Sequence, residues 1–543
     1  MDKLVSEEIE TRRSFLKKMG GAAASGIAVS SIGVPSIIGL TANDGIAQNG
    51  NSASNRRAIR AMQLRKRAAK DQMLEPLAEH PVNSDEYSYP NRIGNFSKSL
   101  PHNGLGEVNA AAYAALLTAV SSGKPADYAA IPMGGTVKLA NPQAALSFQL
   151  EGADGEHLDI PAAPAVDSQT EAAEMAEVYW HALTRDVPFS NYATDPLVQA
   201  TVNDLQQFPL FQNVTTATVF RGETAGDVVG PYVSQFLWKP VPYGAQTITQ
   251  YYRVPVAGND KMTSYPEWLN IQNGLPPSSP LSYDPTTRYI RNGRDLGEYV
   301  HLDFSYQAFL NAALILSGFG GGALSDTNPY KTIANQGGFV QFGGAHILDM
   351  VARAALAALK DAWYQKWQVH RRLRPEEYGG LVHKHLTGMA SYPVTEILSS
   401  TAPAEVFNRF GTYLLPMAFA EGCPTHPAYP AGHAAISGAC TTMLKAFFKE
   451  SFVIPSPVEA SDDGLSLNPY GSPLSVGNEL NKLAANISLG RDMAGVHWRS
   501  DGIQGILLGE KVAIQILKDY RHTYNENFWG FLFTKFDGTN VTV

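Results

Sequence analysis

Two histidines stand seven residues apart in the segment THPAYPAGHAAISGAC. His426 precedes a turn made by Pro430, Ala431 and Gly432, and His433 opens an apolar stretch with helical spacing. Backbone N–H groups at the start of a helix point toward an anion that binds there. The segment therefore predicts a turn followed by a helix start, where two imidazoles and backbone amides face an anion.

Three basic residues add to this expectation. On a helical wheel Lys366 lies on the apolar face of its segment, together with Ala355, Leu359, Ala362 and Trp363. Arg491 likewise shares a face with Leu480, Ala484 and Ile487. Arg374 follows Lys366 by eight residues, and we expect the next residue, Pro375, to end the helix. Burying such cations without partners is costly, so a counter-charge is needed.

A histidine and a carboxylate follow Arg491 at short spacing. His497 comes six residues later, and Asp501 comes four residues after His497, close enough for its carboxylate to fix the imidazole tautomer. Each residue alone also has an ordinary explanation. An inward lysine or arginine can pair with a carboxylate or extend its charged end to solvent, and a histidine on an apolar face can be a hydrogen-bonded core residue. Together they indicate a site for a compact, multiply charged oxyanion, because planar arginines and a lysine match its oxygens.

In this order the residues resemble a known three-part signature. It belongs to the superfamily of vanadium-dependent haloperoxidases and phosphatidic-acid-phosphatase-type acid phosphatases. The chain is most similar to the algal and cyanobacterial vanadium bromoperoxidases. The resemblance runs over about residues 90 to 540 and includes NRIGNFSKSLPHNGLGEV, KWQVHRRLRPEEYGG and NKLAANISLGRDMAGVHWRSDGIQGILLGE.

The resemblance implies a vanadate site. His497 would be the nitrogen ligand to vanadium, and the vanadate oxygens would be held by five residues: Lys366, Arg374, Arg491, His433 and, through its backbone amide, Gly432. The family usually carries serine where this chain has Ala431, so a hydroxyl that donates to vanadate is missing. That loss is worth about 1–2 kcal/mol if the hydrogen bond is buried.

The resemblance also implies which residues act in catalysis. His433 would exchange a proton when hydrogen peroxide binds, Lys366 would polarise the peroxide, and His426 matches a histidine of the bromide-oxidising branch. Three further residues would surround them: Trp363 as an aromatic wall, Asp303 as the partner of an arginine, and Asp501 as the partner of His497.

The implied function is that of a vanadate-dependent haloperoxidase. It would use hydrogen peroxide to oxidise bromide or iodide to a hypohalous-acid equivalent that halogenates small organic acceptors, with vanadium as a Lewis acid. One alternative is an acid phosphatase in which His497 is the nucleophile. Another is an oxyanion-binding protein that has lost turnover through Ala431. Family relatives assemble as oligomers, so we also expect a homo-oligomer.

Composition limits the class of protein. The 543 residues are 44% hydrophobic and 17% charged, as in a folded globular protein, and the net charge of −8 argues against nucleic acid as a partner. The only two cysteines, Cys423 and Cys440, cannot form a disulfide framework, and we favour two small buried side chains over a bridge.

The N-terminal segment resembles a twin-arginine export signal. TRRSFLKK precedes an uncharged stretch from Met19 to Leu40. A membrane anchor is the alternative, but five glycines and Pro35 make this a poor spanning helix. We therefore expect residues 1–47 to be a signal peptide and the mature protein to be periplasmic or extracellular.

The elements that must position the site are mainly helices. From about residue 296 onward, apolar residues recur at three- and four-residue spacing in several long segments. Residues 209–295 are rich in Pro, Gly and Tyr and predict long irregular loops. We expect a mainly α-helical bundle of the haloperoxidase and acid phosphatase type, a single domain over residues 48–543, and an active-site core at about 296–520.

Overall fold

The computed structural model describes residues 50–543 of the chain, so the predicted signal segment lies outside the described residues. The chain divides between residues 62 and 63. Residues 50–62 begin the first helix, and residues 63–543 form the second unit, which holds the predicted site. Among the described residues, no helix combines the length and apolar character needed to span a bilayer.

The fold is helical, as predicted, with long connecting loops. Its α-helices are α1 (Gly50–Leu74), α2 (Asp85–Ser88), α3 (Ala110–Ser122), α4 (Pro125–Ala129), α5 (Gln169–Thr184), α6 (Pro196–Leu205), α7 (Tyr265–Gln272), α8 (Gly293–Leu302), α9 (Gln307–Gly318), α10 (Gly344–Tyr364), α11 (Pro375–Leu386), α12 (Ala402–Phe410), α13 (Gly432–Phe447), α14 (Val476–Met493) and α15 (Arg499–Tyr520).

Short elements make up the rest of the regular structure. Three antiparallel hairpins pair β1 (Val241–Tyr243) with β2 (Gln246–Ile248), β3 (Val458–Ala460) with β4 (Leu467–Pro469), and β5 (Leu532–Thr534) with β6 (Asn540–Thr542). Single 3₁₀ turns lie at Pro142–Leu146, Gly155–His157, Phe189–Asn191, Pro209–Phe211, Gln235–Leu237, Gly321–Ala323, Pro329–Lys331 and Glu396–Ser399.

Helix α13 lies at the centre of the bundle. It packs against α10, α14 and α15, and α14 also packs against α8. Helices α13 and α15 approach closely through glycines. A Cβ atom on Gly438 would lie 1.9 Å from the carbonyl oxygen of Ile506, and one on Gly509 would lie 2.0 Å from that of Ala435. This close packing places the start of α13 beside the start of α15.

The segment after α10 departs from the prediction. Helix α10 continues into a π-helical turn, Gln365–His370, which contains Lys366. The chain then passes through Arg371 in a left-handed conformation, at φ 45°. Pro375 does not end this helix as predicted; it begins α11, where its fixed φ and missing N–H are tolerated. The break places Arg374 immediately before α11.

The two cysteines are both free and buried, which confirms the sequence interpretation. Cys423 lies in the loop before α13, and Cys440 lies within α13. Burial raises the pKa of the Cys423 thiol far above its ordinary value, so this thiol stays neutral.

Candidate active site

A cavity of about 410 Å³ opens beside the N-terminal end of α13. Seven of the sequence-predicted site residues line it: Asp303, Trp363, His426, Gly432, His433, Arg491 and His497. The other four contact or adjoin these: Lys366, Arg374, Ala431 and Asp501. The structure therefore brings together residues that span nearly 200 positions of the sequence.

His497 is held in a single orientation by its two neighbours. Its Nδ1 lies 2.7 Å from Oδ2 of Asp501, and its Nε2 lies 2.9 Å from Nη1 of Arg374. The guanidinium can only donate, so Nε2 accepts and Nδ1–H donates to the carboxylate. The ring is almost fully buried. Nε2 is therefore the unprotonated nitrogen of His497, and its lone pair accepts a hydrogen bond from Arg374 in this structure.

The three cations lack acidic partners within the described residues, as predicted. Lys366 Nζ donates to the carbonyl oxygens of Pro427 and Ala428, both at 2.7 Å. Arg374 donates to the carbonyl oxygens of residues 426 and 496 and to ring nitrogens of two histidines. Arg491 donates from Nη1 to the carbonyl oxygen of Val300 at 2.7 Å, and its Nε has no hydrogen-bond partner among the described residues. The region therefore carries uncompensated positive charge.

The pKa values of three of these groups are lowered, first by burial and then by the neighbouring positive charges. Burial, with the nearby charges of Arg374 and Arg491, holds the pKa of Lys366 well below its ordinary value. Burial and then the charge of Arg374 lower the pKa of Arg491 to about 10. The pKa of His497 is also well below its usual range, first through burial and then through Arg374 and Lys366. An anion among these groups would act in the opposite direction, because a nearby negative charge favours the protonated form of each group.

His426 lies between an arginine and an aromatic wall. Its Nδ1 is 2.9 Å from Nη2 of Arg374, and its ring centroid is 4.6 Å from that of Trp363. Trp363 is fixed by a hydrogen bond from Nε1 to the carbonyl oxygen of Ala140 at 3.1 Å. Burial and the charge of Arg374 hold the pKa of His426 well below its usual range, so this imidazole is neutral.

His433 lies in the first turn of α13, and its partner corrects the role predicted for Asp303. We expected Asp303 to pair with an arginine, but its Oδ1 lies 3.0 Å from Nε2 of His433. Asp303 caps the end of α8 and influences Arg491 only through space. The contact leaves Nδ1 of His433 as the ring atom available for proton exchange.

Ala431 and Gly432 form the start of α13, as predicted. Ala431 is the N-cap residue, and no side chain caps the helix there. Its own N–H donates to the backbone oxygen of Asp501 at 2.9 Å, which ties α13 to α15. Gly432 lines the cavity, where an added Cβ would lie 3.1 Å from Leu359 and 3.2 Å from Trp363. Glycine therefore keeps the helix start open to the cavity.

A buried ionic cluster behind His497 was missed by the sequence reasoning. Arg372 donates to Asp501 at 2.8 Å and to Glu174 at 3.0 Å, and it also pairs with Glu171. These side chains are nearly inaccessible to solvent. Arg372 thus fixes the orientation of the Asp501 side chain, which in turn holds His497. Nothing in the spacing of the HRRLRP segment pointed to two glutamates about 200 positions away.

The donor set fits a tetrahedral oxyanion such as vanadate. One ring nitrogen lone pair and three cations without carboxylate partners converge beside the open N-terminus of a helix. The unpartnered Nε of Arg491 is a buried donor that such an anion would satisfy. The residues present therefore suit the cofactor that the sequence resemblance implies.

Comparisons with known proteins agree with this fold and site. A family model described as the VCPO second helical-bundle domain matches residues 346–526. The vanadium-dependent bromoperoxidase of Ascophyllum nodosum is 37% identical over 463 residues, covering 79% of this chain and 83% of the relative. The vanadium-dependent bromoperoxidase of Corallina pilulifera is 35% identical over 558 residues, and the match covers 85% of this chain and 92% of that relative.

A solved structure extends the agreement to three dimensions. The homohexameric second vanadate-dependent bromoperoxidase of Ascophyllum nodosum matches with a TM-score of 0.85 and 32% identity, and the match covers 94% of each chain. Fold and site thus define a helical-bundle protein built to hold an oxyanion. At this identity and coverage, the chain belongs to the vanadium-dependent bromoperoxidase family.

Proposed function

We propose that this protein is a vanadate-dependent haloperoxidase that uses hydrogen peroxide to oxidise bromide or iodide. One observation carries the proposal: in a chain of this family, three cations act on His497 and have no acidic partner in the described part of the chain, namely Lys366, Arg374 and Arg491. The product would be a hypohalous-acid equivalent that halogenates small organic acceptors.

Each side chain has a task that follows from its contacts. When bound, vanadate supplies a Lewis-acid centre that activates hydrogen peroxide toward attack by a halide. Asp501 accepts a hydrogen bond from Nδ1–H of His497 and so keeps Nε2 unprotonated. His497 would ligate through Nε2 once the Arg374 guanidinium donates to an oxygen of the anion instead of to this nitrogen. Lys366, Arg374 and Arg491 would neutralise the oxygens, and Gly432 would donate a backbone N–H. His433, held at Nε2 by Asp303, would exchange a proton at Nδ1.

His426 is the residue that favours bromide or iodide in this proposal. It adjoins the cations as a neutral ring, against Trp363 and Arg374. A neutral ring beside an arginine can accommodate a large polarisable halide without adding a competing charge. The organic acceptor would react with oxidant that leaves the cavity.

The test is halide-dependent bromination of a phenol dye by purified protein, with and without vanadate. We expect turnover with bromide or iodide only after vanadate loading, and loss of turnover in Lys366→Met. Hydrolysis of a phosphate ester without vanadate is measured alongside, because the phosphatase alternative would use the same cations. Efficient hydrolysis without any halide oxidation would overturn the proposal in favour of that alternative.

We further propose that the protein is exported and assembles as a homo-oligomer. The paired arginines Arg12 and Arg13 before a weakly apolar segment support a twin-arginine signal in residues 1–47. The homohexameric relative supports assembly, and residues 48–543 would form the mature domain. N-terminal sequencing of secreted protein and its mass by light scattering test these two points.

A further inference from the structure

The cavity entrance carries a charged cluster that the proposed reaction does not use. We call His301, Glu298, Glu421 and Phe419 the entrance cluster. Nε2 of His301 lies 2.6 Å from Oε1 of Glu421, and its Nδ1 lies 3.2 Å from Oε2 of Glu298. The ring stacks on Phe419 with centroids 3.8 Å apart and planes 10° apart.

The cluster lies on the route from solvent to the cations. The Glu421 side chain is 49% exposed and that of His301 is 18% exposed, whereas His497 is 2% exposed. His301, Phe419 and Glu421 line the same cavity as His497. The guanidinium of Arg491 lies 5.4 Å from the centroid of Phe419, so this ring stands between two cationic groups. These side chains therefore belong to the more exposed part of the cavity lining, between solvent and the buried His497.

His301 carries a positive charge here. Both of its ring nitrogens face carboxylate oxygens, so both donate. Burial alone would lower its pKa, but the hydrogen bonds and charges of Glu298 and Glu421 outweigh burial and raise the pKa to about 9. His301 also lies in the last turn of α8, where the helix dipole favours a cation.

Three other charged side chains lie near this cluster, and none of them pairs with the Glu421 carboxylate. Arg253 lies 3.8 Å from Glu298, and Asp303 is held by His433. Lys98 pairs with Glu376 at 2.7 Å and reaches Glu421 only at its backbone oxygen. His301 is therefore the cation that directly neutralises the Glu421 carboxylate. Without it, the half-exposed Glu421 carboxylate would face an incoming anion with no ion-pair partner among the described residues.

We propose that His301 controls halide entry by neutralising Glu421 and Glu298 at the cavity entrance. This inference rests on the proposed function and names a residue that sets the apparent affinity for the anionic substrate. Hydrogen peroxide is neutral, so its binding should not respond to the same charge. Charges at the edge of a binding site mainly change the rate at which a charged partner arrives.

The prediction is tested with three variants. Arg253, which pairs with Glu298, is the same in every variant and is left out of the count; the remaining two carboxylates and one imidazolium of the parent then carry one net negative charge. His301→Gln leaves two, Glu421→Gln leaves none, and the double variant again leaves one. We expect the KM for bromide to rise about 3- to 10-fold in His301→Gln and to fall in Glu421→Gln. The double variant should return close to the parent, while the KM for peroxide stays unchanged in all three.

The outcomes separate this inference from the proposed function. A parent without halide oxidation after vanadate loading would remove the proposed function itself. An active parent whose Glu421→Gln variant shows an unchanged or raised KM for bromide would overturn the role of His301. Parallel changes in the KM values for bromide and peroxide would also overturn it, because they would indicate a purely structural effect. Glu421 is half exposed, so its variant should fold even if His301→Gln does not.

Discussion

Asp501 joins His497 to Arg372: one carboxylate oxygen lies 2.7 Å from Nδ1 of His497, and the other lies 2.8 Å from Nη1 of Arg372. The carboxylate is fully buried and accepts from charged or polar donors on both sides. The arrangement fixes which nitrogen of His497 carries the proton, and therefore which one can bind a metal.

Replacing this carboxylate should weaken vanadate binding. In Asp501→Asn the amide can donate to Nδ1 of His497, which favours the tautomer with its proton on Nε2. We expect vanadate affinity to fall about 10- to 100-fold, measured by titration of the metal-free protein. Asp519→Asn, in the same helix and half buried, is the control and should bind as the parent does. An unchanged affinity in Asp501→Asn would mean that Asp501 does not orient His497.

Replacing either of two buried lysines should change the free energy of unfolding by different amounts. Lys482 is paired with Glu479 at 2.6 Å, whereas Lys366, within residues 50–543, donates to two carbonyl oxygens and has no carboxylate partner. Lys482→Met leaves a buried carboxylate unpaired and should lower the free energy of unfolding by about 3–5 kcal/mol. Lys366→Met should cost less, because it also removes repulsion from Arg374 and Arg491. Urea unfolding without vanadate measures both, and an equal or larger loss in Lys366→Met would contradict the account.

Vanadate should stabilise the parent but not Lys366→Met. A ligand at 100 times its Kd stabilises the folded state by about 2.7 kcal/mol. Thermal unfolding with and without vanadate detects this as a shift of Tm. A shift of the same size in Lys366→Met would place vanadate away from Lys366.

A serine at position 431 should strengthen the anion site. Ala431 is buried at the N-cap of α13, and a serine hydroxyl there could donate to a bound oxyanion. We expect Ala431→Ser to tighten vanadate binding about 5- to 30-fold, equivalent to about 1–2 kcal/mol. Ala434→Ser adds the same atom to α13 at a buried position that does not line the cavity, and it should not tighten binding. Weaker binding in Ala431→Ser would show that the site has no room for the hydroxyl.

The neutral state of His426 should appear in the pH dependence of stability. Its pKa in the folded protein is well below that of the unfolded chain, chiefly through burial. Below about pH 6.5 the unfolded chain therefore binds an additional proton, and stability falls as pH decreases. One such group changes the free energy of unfolding by about 1.4 kcal/mol per pH unit in this range. In urea unfolding between pH 6.5 and 5, His426→Gln should lose stability less steeply than the parent by about this amount. Identical slopes would mean that His426 is not held neutral.

The sequence predicted the parts of this molecule that depend on local spacing. Apolar periodicity placed Lys366 and Arg491 toward the interior, and the four-residue spacing anticipated the contact between His497 and Asp501. Pro375 was misread because the same residue that ends one helix can begin the next, and only the intervening π-helical turn and left-handed Arg371 decide between them.

Contacts between distant segments were beyond the reach of spacing. Glu171 and Glu174 reach Arg372 across about 200 residues, and Glu421 reaches His301 across 120. Asp303 was expected beside an arginine, but the packing of α8 against α14 and of α14 against α13 brings it to His433 instead. Such partners depend on how helices pack, which the pattern of a single segment does not encode.

The most direct test of the oxyanion site is a crystal structure of the protein soaked with vanadate, with the metal located by its anomalous scattering. We expect one vanadium atom bonded to Nε2 of His497, with its oxygens within hydrogen-bond distance of Lys366, Arg374 and Arg491. Vanadium bound at another place, or an empty cavity in a protein that oxidises bromide under the same conditions, would contradict the account.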